Sequence, residues 1–267
     1  LRNTDSKVMS LVFREHPLRR TVAAELHARI YEPLRAPERV SHIAVMCSES
    51  DRGRNVDHLK RLLAHYALAV PETFDQHYAA DLGSLRLRWE RHTEFVTYTF
   101  SEQGAFTDPF AEPVLNRIPE DWLRELPGDV IAAVSMAIEA CEMPERDNQA
   151  LVALFDGNPV IGSAVVGGAA RAWSDLRIHT DGFFRIMVMD CSMSENQAGR
   201  LAKRLMDINC YRALALLGLP LAREVSPALS DADRRLALVA SRMTTQGPVS
   251  EPGFESELLA ELTGLAT

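Results

Sequence analysis

The spacing of the apolar residues changes along the chain, and this change predicts the order of its secondary structure. Before residue 192 apolar residues run continuously or alternate with polar ones, as they do in buried or half-buried strands. We predict strands at 41–48, 85–100, 130–140, 150–155, 160–166, 171–180 and 183–191, of which 85–100 is one bent strand or two short ones. The turn sequences Asp156-Gly157-Asn158-Pro159 and Asp181-Gly182 predict two hairpins, because these residues tolerate tight-turn backbone angles.

Helical spacing, in which apolar residues recur every three or four positions, marks the remaining segments. It predicts helices at 18–28, 55–68, 231–243 and 254–265, one helical turn at 121–123, and a long helix from Ser194 until Gly218 and Pro220. Apolar residues along the long helix include Leu201, Leu205, Ile208, Ala215 and Leu216. Ser194 is its expected N-cap, because Gln197 follows three residues later as in a capping box.

This order of elements predicts an α+β fold. We expect a mixed, largely antiparallel sheet flanked by helices, followed by a C-terminal helical region. The change of spacing near residue 192 divides the chain into an α/β sheet domain at 1–192 and a helical tail at 193–267.

Composition and charge narrow the class of protein. The chain has 267 residues, of which 46% are hydrophobic and 25% charged, so it has the length and composition to bury a core. Its net charge of −8 argues against non-specific binding to a phosphate backbone, and no nucleic-acid partner is expected. No apolar run is long enough to span a bilayer and no signal sequence opens the chain, so this stretch of sequence is expected to be soluble.

The four cysteines have neither the spacing of a zinc site nor that of a small disulfide-linked domain, which fits a reducing cytoplasm. Dinucleotide-binding, Walker, G-x-S-x-G, H-E-x-x-H and C-x-x-C motifs are all missing from the sequence. No cofactor and no catalytic residue can therefore be named from a motif.

The segment 85–100 carries the densest set of ionisable residues. Alternation places five of them on one face of the predicted strand, namely Arg86, Arg88, Glu90, His92 and Glu94. Glu90, His92 and Glu94 fit a divalent-cation site or an acid–base group, although a metal needs a further ligand from elsewhere. A salt ladder on a solvated face accounts for the same pattern.

Two further groups are candidates for ligand binding. His27 and Arg29 end the first predicted helix, where they either cap it or form an anion site with Arg29 as the fork. Arg177 and His179 share a face of the strand 171–180, and His179 pairs with Asp181 unless Asp181 only serves the turn.

Five segments carry a resemblance to known proteins: His16-Pro17-Leu18-Arg19, Glu25-Leu26-His27-Ala28-Arg29, Leu87-Arg88-Trp89-Glu90-Arg91-His92-Thr93-Glu94-Phe95, Trp173-Ser174-Asp175-Leu176-Arg177-Ile178-His179 and Tyr211-Arg212-Ala213-Leu214-Ala215-Leu216-Leu217. They resemble a bacterial domain-of-unknown-function family of uncharacterised membrane-anchored proteins. The resemblance covers nearly the whole chain, but Ile30 stands where the family usually has Pro. It implies a membrane-anchoring segment beyond residue 267, and it carries no activity and no catalytic residues.

The layout implied by the resemblance is similar to that of bacterial magnesium channels and of mitochondrial membrane-anchored assembly factors, a likeness of fold only. We therefore expect a cytoplasmic module of a membrane-anchored bacterial protein, on the cytoplasmic side of the inner membrane, that acts in assembly, scaffolding or ligand sensing. It is expected to be non-enzymatic and to form a homo-oligomer through its helices. The alternative is a metal-dependent or acid–base enzyme that uses Glu90, His92 and Glu94 with help from His27, Arg29 or His179.

Overall fold

A single mixed sheet of eight strands organises the described part of the chain. The structure is a computed structural model that describes residues 15–17, 19, 31–141 and 146–245. The strands are β1 (Glu38–Met46), β2 (His77–Asp81), β3 (Arg86–Arg91), β4 (Phe95–Gln103), β5 (Val130–Ala140), β6 (Ile161–Val165), β7 (Ala170–Ser174) and β8 (Phe184–Asp190). Their order is β2-β3-β4-β1-β5-β8-β7-β6. The β5–β8 pair is parallel and the other neighbours are antiparallel, which confirms the predicted α+β fold.

Within the described residues, five α-helices accompany the sheet. They are α1 (Arg52–His65), α2 (Glu120–Arg124), α3 (Asn148–Ala153), α4 (Glu195–Leu216) and α5 (Leu219–Thr245), with short 3-10 turns at Glu49–Asp51, Val114–Arg117 and Val166–Gly168. The predicted capping box is confirmed: Ser194 Oγ accepts a hydrogen bond from the Gln197 amide at 3.3 Å, and Gln197 Oε1 accepts one from the Ser194 amide at 2.9 Å. The long helix therefore begins where the sequence predicts.

The two faces of the sheet bury different elements. Because side chains alternate along β1, Ile43 and Val45 lie on one face and Val40 and His42 on the other. The first face, called the α1 face, is covered by the apolar side of α1 and by Trp122 of α2. The opposite face, called the α4 face, is covered by the first half of α4. The apolar core on the α4 face includes Leu34, Val40, Val134, Met136, Ile138, Ile186, Val188, Ala198, Leu201, Ala202 and Met206.

Two predicted strands differ from the structure. The segment 150–155 was predicted as a strand but lies largely in α3, because Asp147 caps this helix by accepting a hydrogen bond from the Ala150 amide at 2.7 Å. The predicted 150–155/160–166 hairpin is therefore wrong. The strand predicted at 171–180 ends at Ser174, since Leu176 has a φ of +58° and cannot continue an extended chain. The segment 85–100 forms two strands, β3 and β4, which was one of the two alternatives.

The helical region also departs from the prediction. Helix α5 begins at Leu219 instead of 231, because Pro220 lies in its first turn, where a missing amide hydrogen removes no helical bond. Pro227 lies inside the same helix and interrupts it only locally. Apart from Arg19, the predicted helices at 18–28 and 254–265 lie outside the described residues. The division at residue 192 stays a prediction, and the first half of α4 packs directly on the sheet.

Candidate functional site

A group of buried polar side chains lies between the sheet and α4. It consists of His42 on β1, Arg88 and Glu90 on β3, Thr99 on β4, and Lys203, Asp207 and Cys210 on α4, and is called the polar cluster. Strand alternation points the four sheet residues toward the helix, and a spacing of three or four positions points the helix residues back toward the sheet. None of these side chains lies on an open surface, since each residue is at most 9% exposed.

Four charged groups form the first part of the polar cluster. Arg88 donates a hydrogen bond to Glu90 at 2.8 Å, and Lys203 Nζ lies 3.2 Å from Glu90 Oε2. Lys203 also donates to Asp207 Oδ1 at 2.5 Å. Two positive and two negative groups therefore neutralise one another within the buried layer. Burial alone would raise the pKa of Glu90, but the Arg88 and Lys203 charges hold it below its ordinary value.

Three neutral groups form the second part. His42 is fully buried, with Nδ1 2.8 Å from Thr99 Oγ1 and Nε2 3.3 Å from Cys210 Sγ. Burial, with the Lys203 and Arg88 charges, holds the pKa of His42 well below its usual range. Burial and the Asp207 charge raise the pKa of the Cys210 thiol to about 12. At neutral pH the pair is an imidazole and a thiol, unlike the thiolate–imidazolium pair of a cysteine nucleophile.

The chemistry of the polar cluster therefore favours a structural role, namely fixing where α4 sits on the sheet. A cavity of about 20 Å³ adjoins it and is lined in part by Glu32, Arg86, Arg88 and Lys203. A space of this size holds about one water molecule and no organic ligand. Burial raises the pKa of Glu32 at the edge of this cavity.

The predicted strand cluster is only partly brought together. Arg88 and Glu90 face α4, so this part of the strand does not form a solvated salt ladder. His92 lies beyond the end of β3 and stacks on Phe95, with ring centroids 4.2 Å apart, and Glu94 is exposed in the β3–β4 turn. Within the described residues, no group of three or more His, Cys, Asp or Glu side chains is arranged to hold a metal ion. His27 and Arg29 lie outside the described residues.

His179 belongs to a second polar group, near the α1 face of the sheet. Its Nδ1 lies 2.7 Å from Asp156 Oδ2 and its Nε2 3.0 Å from Asp175 Oδ2. Arg185 joins this group by lying 3.1 Å from Asp156. The hydrogen bond from His179 is the main cause that holds the pKa of Asp156 below its ordinary value. These contacts tie the β7–β8 loop to the turn after α3.

The remaining residues near this loop contact the His179 group at its edge, where Asp181 Oδ2 accepts a hydrogen bond from Arg185 at 3.2 Å. The side chain of Asp181 accepts a hydrogen bond from the Phe183 amide at 3.0 Å, which is the role expected of it in the turn. Arg177 is exposed, and its amide donates to Asp175 Oδ1 at 3.2 Å. The His179 group and the polar cluster do not meet, because His179 packs near Phe155 on the α1 side and Glu90 lies under α4.

Sequence reasoning missed several members of these groups. His42 sits in the apolar run of β1, and Lys203 and Asp207 sit on α4 at the same three-to-four spacing as Gly199 and Cys210. This spacing is the sequence feature that indicates that the four residues share one face of α4. Leu201 is buried as expected, but Ile208 and Leu216 of the predicted apolar set are more than half exposed.

The helical region has one property that bears on membrane contact. By length and composition alone, the helical stretch Glu195–Ser241 is the one candidate for a membrane span in the described part of the chain. This is weak support, because the first half of the stretch contributes Lys203, Asp207 and Cys210 to the buried cluster.

Comparison with known proteins gives a family and no activity. No curated protein and no solved structure matches the chain. A family model described as "Protein of unknown function (DUF3422)" matches residues 14–267, which include β1 to β8 and both long helices. Because this match covers nearly the whole chain, the protein belongs to the DUF3422 family of proteins of unknown function.

Proposed function

We propose that the chain is a scaffolding module that assembles into a homo-oligomer through α5. The observation that supports this is a stripe of exposed aliphatic side chains along the helix. Leu221, Val225, Leu229 and Leu236 are each between 50% and 64% exposed. Surface aliphatic residues occurring singly need no explanation, but four that share one side of a helix mark an interaction surface.

The spacing of these side chains suits a second helix. Val225, Leu229, Ala232 and Leu236 follow one another at intervals of four, three and four residues. This is the spacing of the apolar seam in a coiled coil, where each side chain inserts between side chains of the facing helix. At a rise of about 1.5 Å per residue, the seam from Leu221 to Leu236 is roughly 22 Å long.

A second copy of the same chain is the occupant that the charges favour. The chain as a whole carries a net charge of −8, which opposes association of two copies. Helix α5 carries three acidic and four basic side chains, so its net charge is only +1: Arg223, Glu224, Asp231, Asp233, Arg234, Arg235 and Arg242. Two α5 helices can therefore pair with little net repulsion. The same seven charges make α5 unsuited to the core of a bilayer.

The remaining parts of the proposal rest on the family resemblance. The module would lie on the cytoplasmic side of a bacterial inner membrane, joined to it by a segment beyond residue 267. The sheet and α4 would act as one rigid body, because the polar cluster fixes the helix on the sheet. Assembly through α5 would then hold several such bodies near the membrane.

The experiment is a measurement of mass in solution. The chain should sediment at a multiple of its 29.7 kDa, over a wide range of concentration. The double variant Leu229→Glu/Leu236→Glu should sediment at the mass of a single chain, because it places charges in the seam. Ile178→Glu is the matched control, since Ile178 is 67% exposed but lies in the β7–β8 loop, and it should keep the mass of the parent chain.

Two results would overturn the proposal. One is a parent chain that sediments as a single, folded chain at every concentration. The other is a double variant that keeps the parent mass while circular dichroism shows that its helices are intact. If the chain stays monomeric in solution but floats with vesicles of anionic phospholipid, the stripe instead binds a membrane surface.

A further inference from the structure

Two exposed cysteines lie side by side where β5 and β8 end. The parallel ladder pairs Ala140 with Asp190, and the Cys141 amide donates to the Asp190 carbonyl at 2.9 Å. In a parallel pair this bond makes Cys141 and Cys191 the next pair of neighbours. Neighbouring strands are about 4.8 Å apart, which lies inside the roughly 4.4–6.8 Å between Cα atoms that a disulfide spans.

The two thiols are near enough for Cys141 to affect the pKa of Cys191. Loss of hydration and a hydrogen bond with the Cys141 thiol raise the pKa of Cys191. Arg171 and Asp190 also act on Cys191, with opposite effects on its thiolate. Both cysteines are exposed, so a small oxidant can reach them.

The other two cysteines have different surroundings. Cys47 is buried and accepts a hydrogen bond from Asn55 Nδ2 at 3.0 Å. Cys210 is buried in the polar cluster beside His42. The chain therefore contains one exposed pair and two buried single thiols, all four of them reduced.

We propose that Cys141 and Cys191 are a redox modification site, at which a peroxide converts the two thiols into an intramolecular disulfide. The thiolate of one cysteine attacks a peroxide oxygen, the O–O bond breaks, and hydroxide leaves, which gives a sulfenic acid. The thiolate of the other cysteine attacks this sulfur, the S–O bond breaks, and the hydroxyl leaves as water after taking a proton. With hydrogen peroxide, two thiols lose two hydrogen atoms and one peroxide becomes two waters.

The position of the pair gives the modification a structural consequence. Strands β5 and β8 join the two halves of the sheet, with β2-β3-β4-β1 on one side and β7-β6 on the other. A disulfide here links the ends of both strands and closes the chain between residues 141 and 191. This restricts the unfolded chain, so the oxidised protein should melt at a higher temperature than the reduced one.

The test uses the full chain, reduced first and then treated with hydrogen peroxide at pH 8. Free thiols should fall from four to two, and the intact mass should fall by two hydrogen atoms. Peptide mapping should find Cys141 joined to Cys191, and dithiothreitol should restore all four thiols and the lower melting temperature. Cys141→Ser and Cys191→Ser should each abolish the disulfide, and Cys47→Ser, the matched control, should still form it.

Other products would overturn the proposal. They are a disulfide that joins a different pair, a disulfide between two chains seen without reductant, or sulfinic acid on either cysteine with no cross-link. Cys141 and Cys191 are exposed, so neither change to serine should disturb core packing. Circular dichroism of both variants checks that they remain folded. The result does not depend on whether α5 mediates assembly.

Discussion

Lys203 of α4 lies with its Nζ 3.2 Å from Oε2 of Glu90 of β3, which joins the long helix to the sheet by a buried ion pair. Arg88 and Asp207 complete the arrangement, so each charge faces at least one of opposite sign. Such a group stabilises a fold only when all its members are present, because a single buried charge without a partner is costly. The pair thus makes the position of α4 depend on particular side chains as well as on apolar packing.

Lys203→Met should therefore destabilise the protein strongly. The change leaves Asp207 without its 2.5 Å partner and removes one of the two cations beside Glu90. We expect a loss of about 3–5 kcal/mol in the free energy of unfolding, measured by urea denaturation at pH 7.

The matched control is Arg124→Met. Arg124 and Glu120 have the same four-residue spacing and the same 2.5 Å separation as Lys203 and Asp207, but both side chains are at least 75% exposed. Solvent screens such a pair, so the control should cost less than about 1 kcal/mol. Equal effects of the two substitutions would show that burial of the Lys203 network contributes nothing.

Gly199→Ala should destabilise the protein even though alanine favours helix. A Cβ atom at Gly199 would lie 2.0 Å from the Glu32 carbonyl oxygen, which is backbone and cannot rotate away. The Leu34 amide donates to the Glu195 carbonyl at 3.1 Å and holds this segment against α4. We expect a loss of about 1–3 kcal/mol by urea denaturation.

Gly53→Ala is the comparison for this change, because Gly53 is also helical and its Cβ position has open space. It should leave stability unchanged or raise it by up to about 1 kcal/mol. A stabilised Gly199→Ala variant would mean that helix propensity outweighs the close approach of the two backbones.

The sequence predictions are correct where an element is specified by residues that are close together in the sequence. The strand at 130–140 has the predicted bounds, because its apolar residues specify a buried strand without reference to other segments. The capping box of α4 is confirmed for the same reason, since Ser194 and Gln197 are close in sequence. The apolar run at 150–155 suits a strand or a helix equally well, and the Asp147 cap decides between them.

The polar cluster depends on interactions between distant segments. Residue type alone places Lys203 and Asp207 on a solvated helix face, because isolated charges avoid the core. Their burial depends on Glu90 and Arg88, which a different part of the chain supplies. Alternation correctly put Arg88 and Glu90 on one face, but it contains no information on what covers that face.

Acid should destabilise the protein in a pH range set by its buried histidines. His58 is fully buried and stacks on Trp122, with ring centroids 4.2 Å apart. Burial and the Arg61 charge lower the pKa of His58 to about 4. Below pH 6.5 the unfolded chain takes up a proton that folded His58 does not, so the free energy of unfolding falls as the pH drops from 6.5 to 4. His42 acts in the same direction.

The contribution of His58 is measured by comparison with His58→Phe, which keeps an aromatic ring beside Trp122 but cannot be protonated. Between pH 7 and pH 4 the parent should lose on the order of 3 kcal/mol more than this variant, since 1.36 kcal/mol corresponds to one pKa unit. Parallel curves of stability against pH would contradict the prediction.

His179→Phe should raise the pKa of Asp156 toward its ordinary value. The hydrogen bond from His179 Nδ1 at 2.7 Å is the main cause of the lowered pKa, and the contact with Arg185 is a smaller one. NMR titration of the Asp156 carboxyl group in the parent, in His179→Phe and in Arg185→Gln measures both effects. The shift should be larger in His179→Phe, and a larger shift in Arg185→Gln would mean that the guanidinium controls this carboxylate. In either variant the folded-state pKa of Asp156 lies closer to its unfolded value, so the stability that the ionised carboxylate contributes above this pKa is smaller than in the parent.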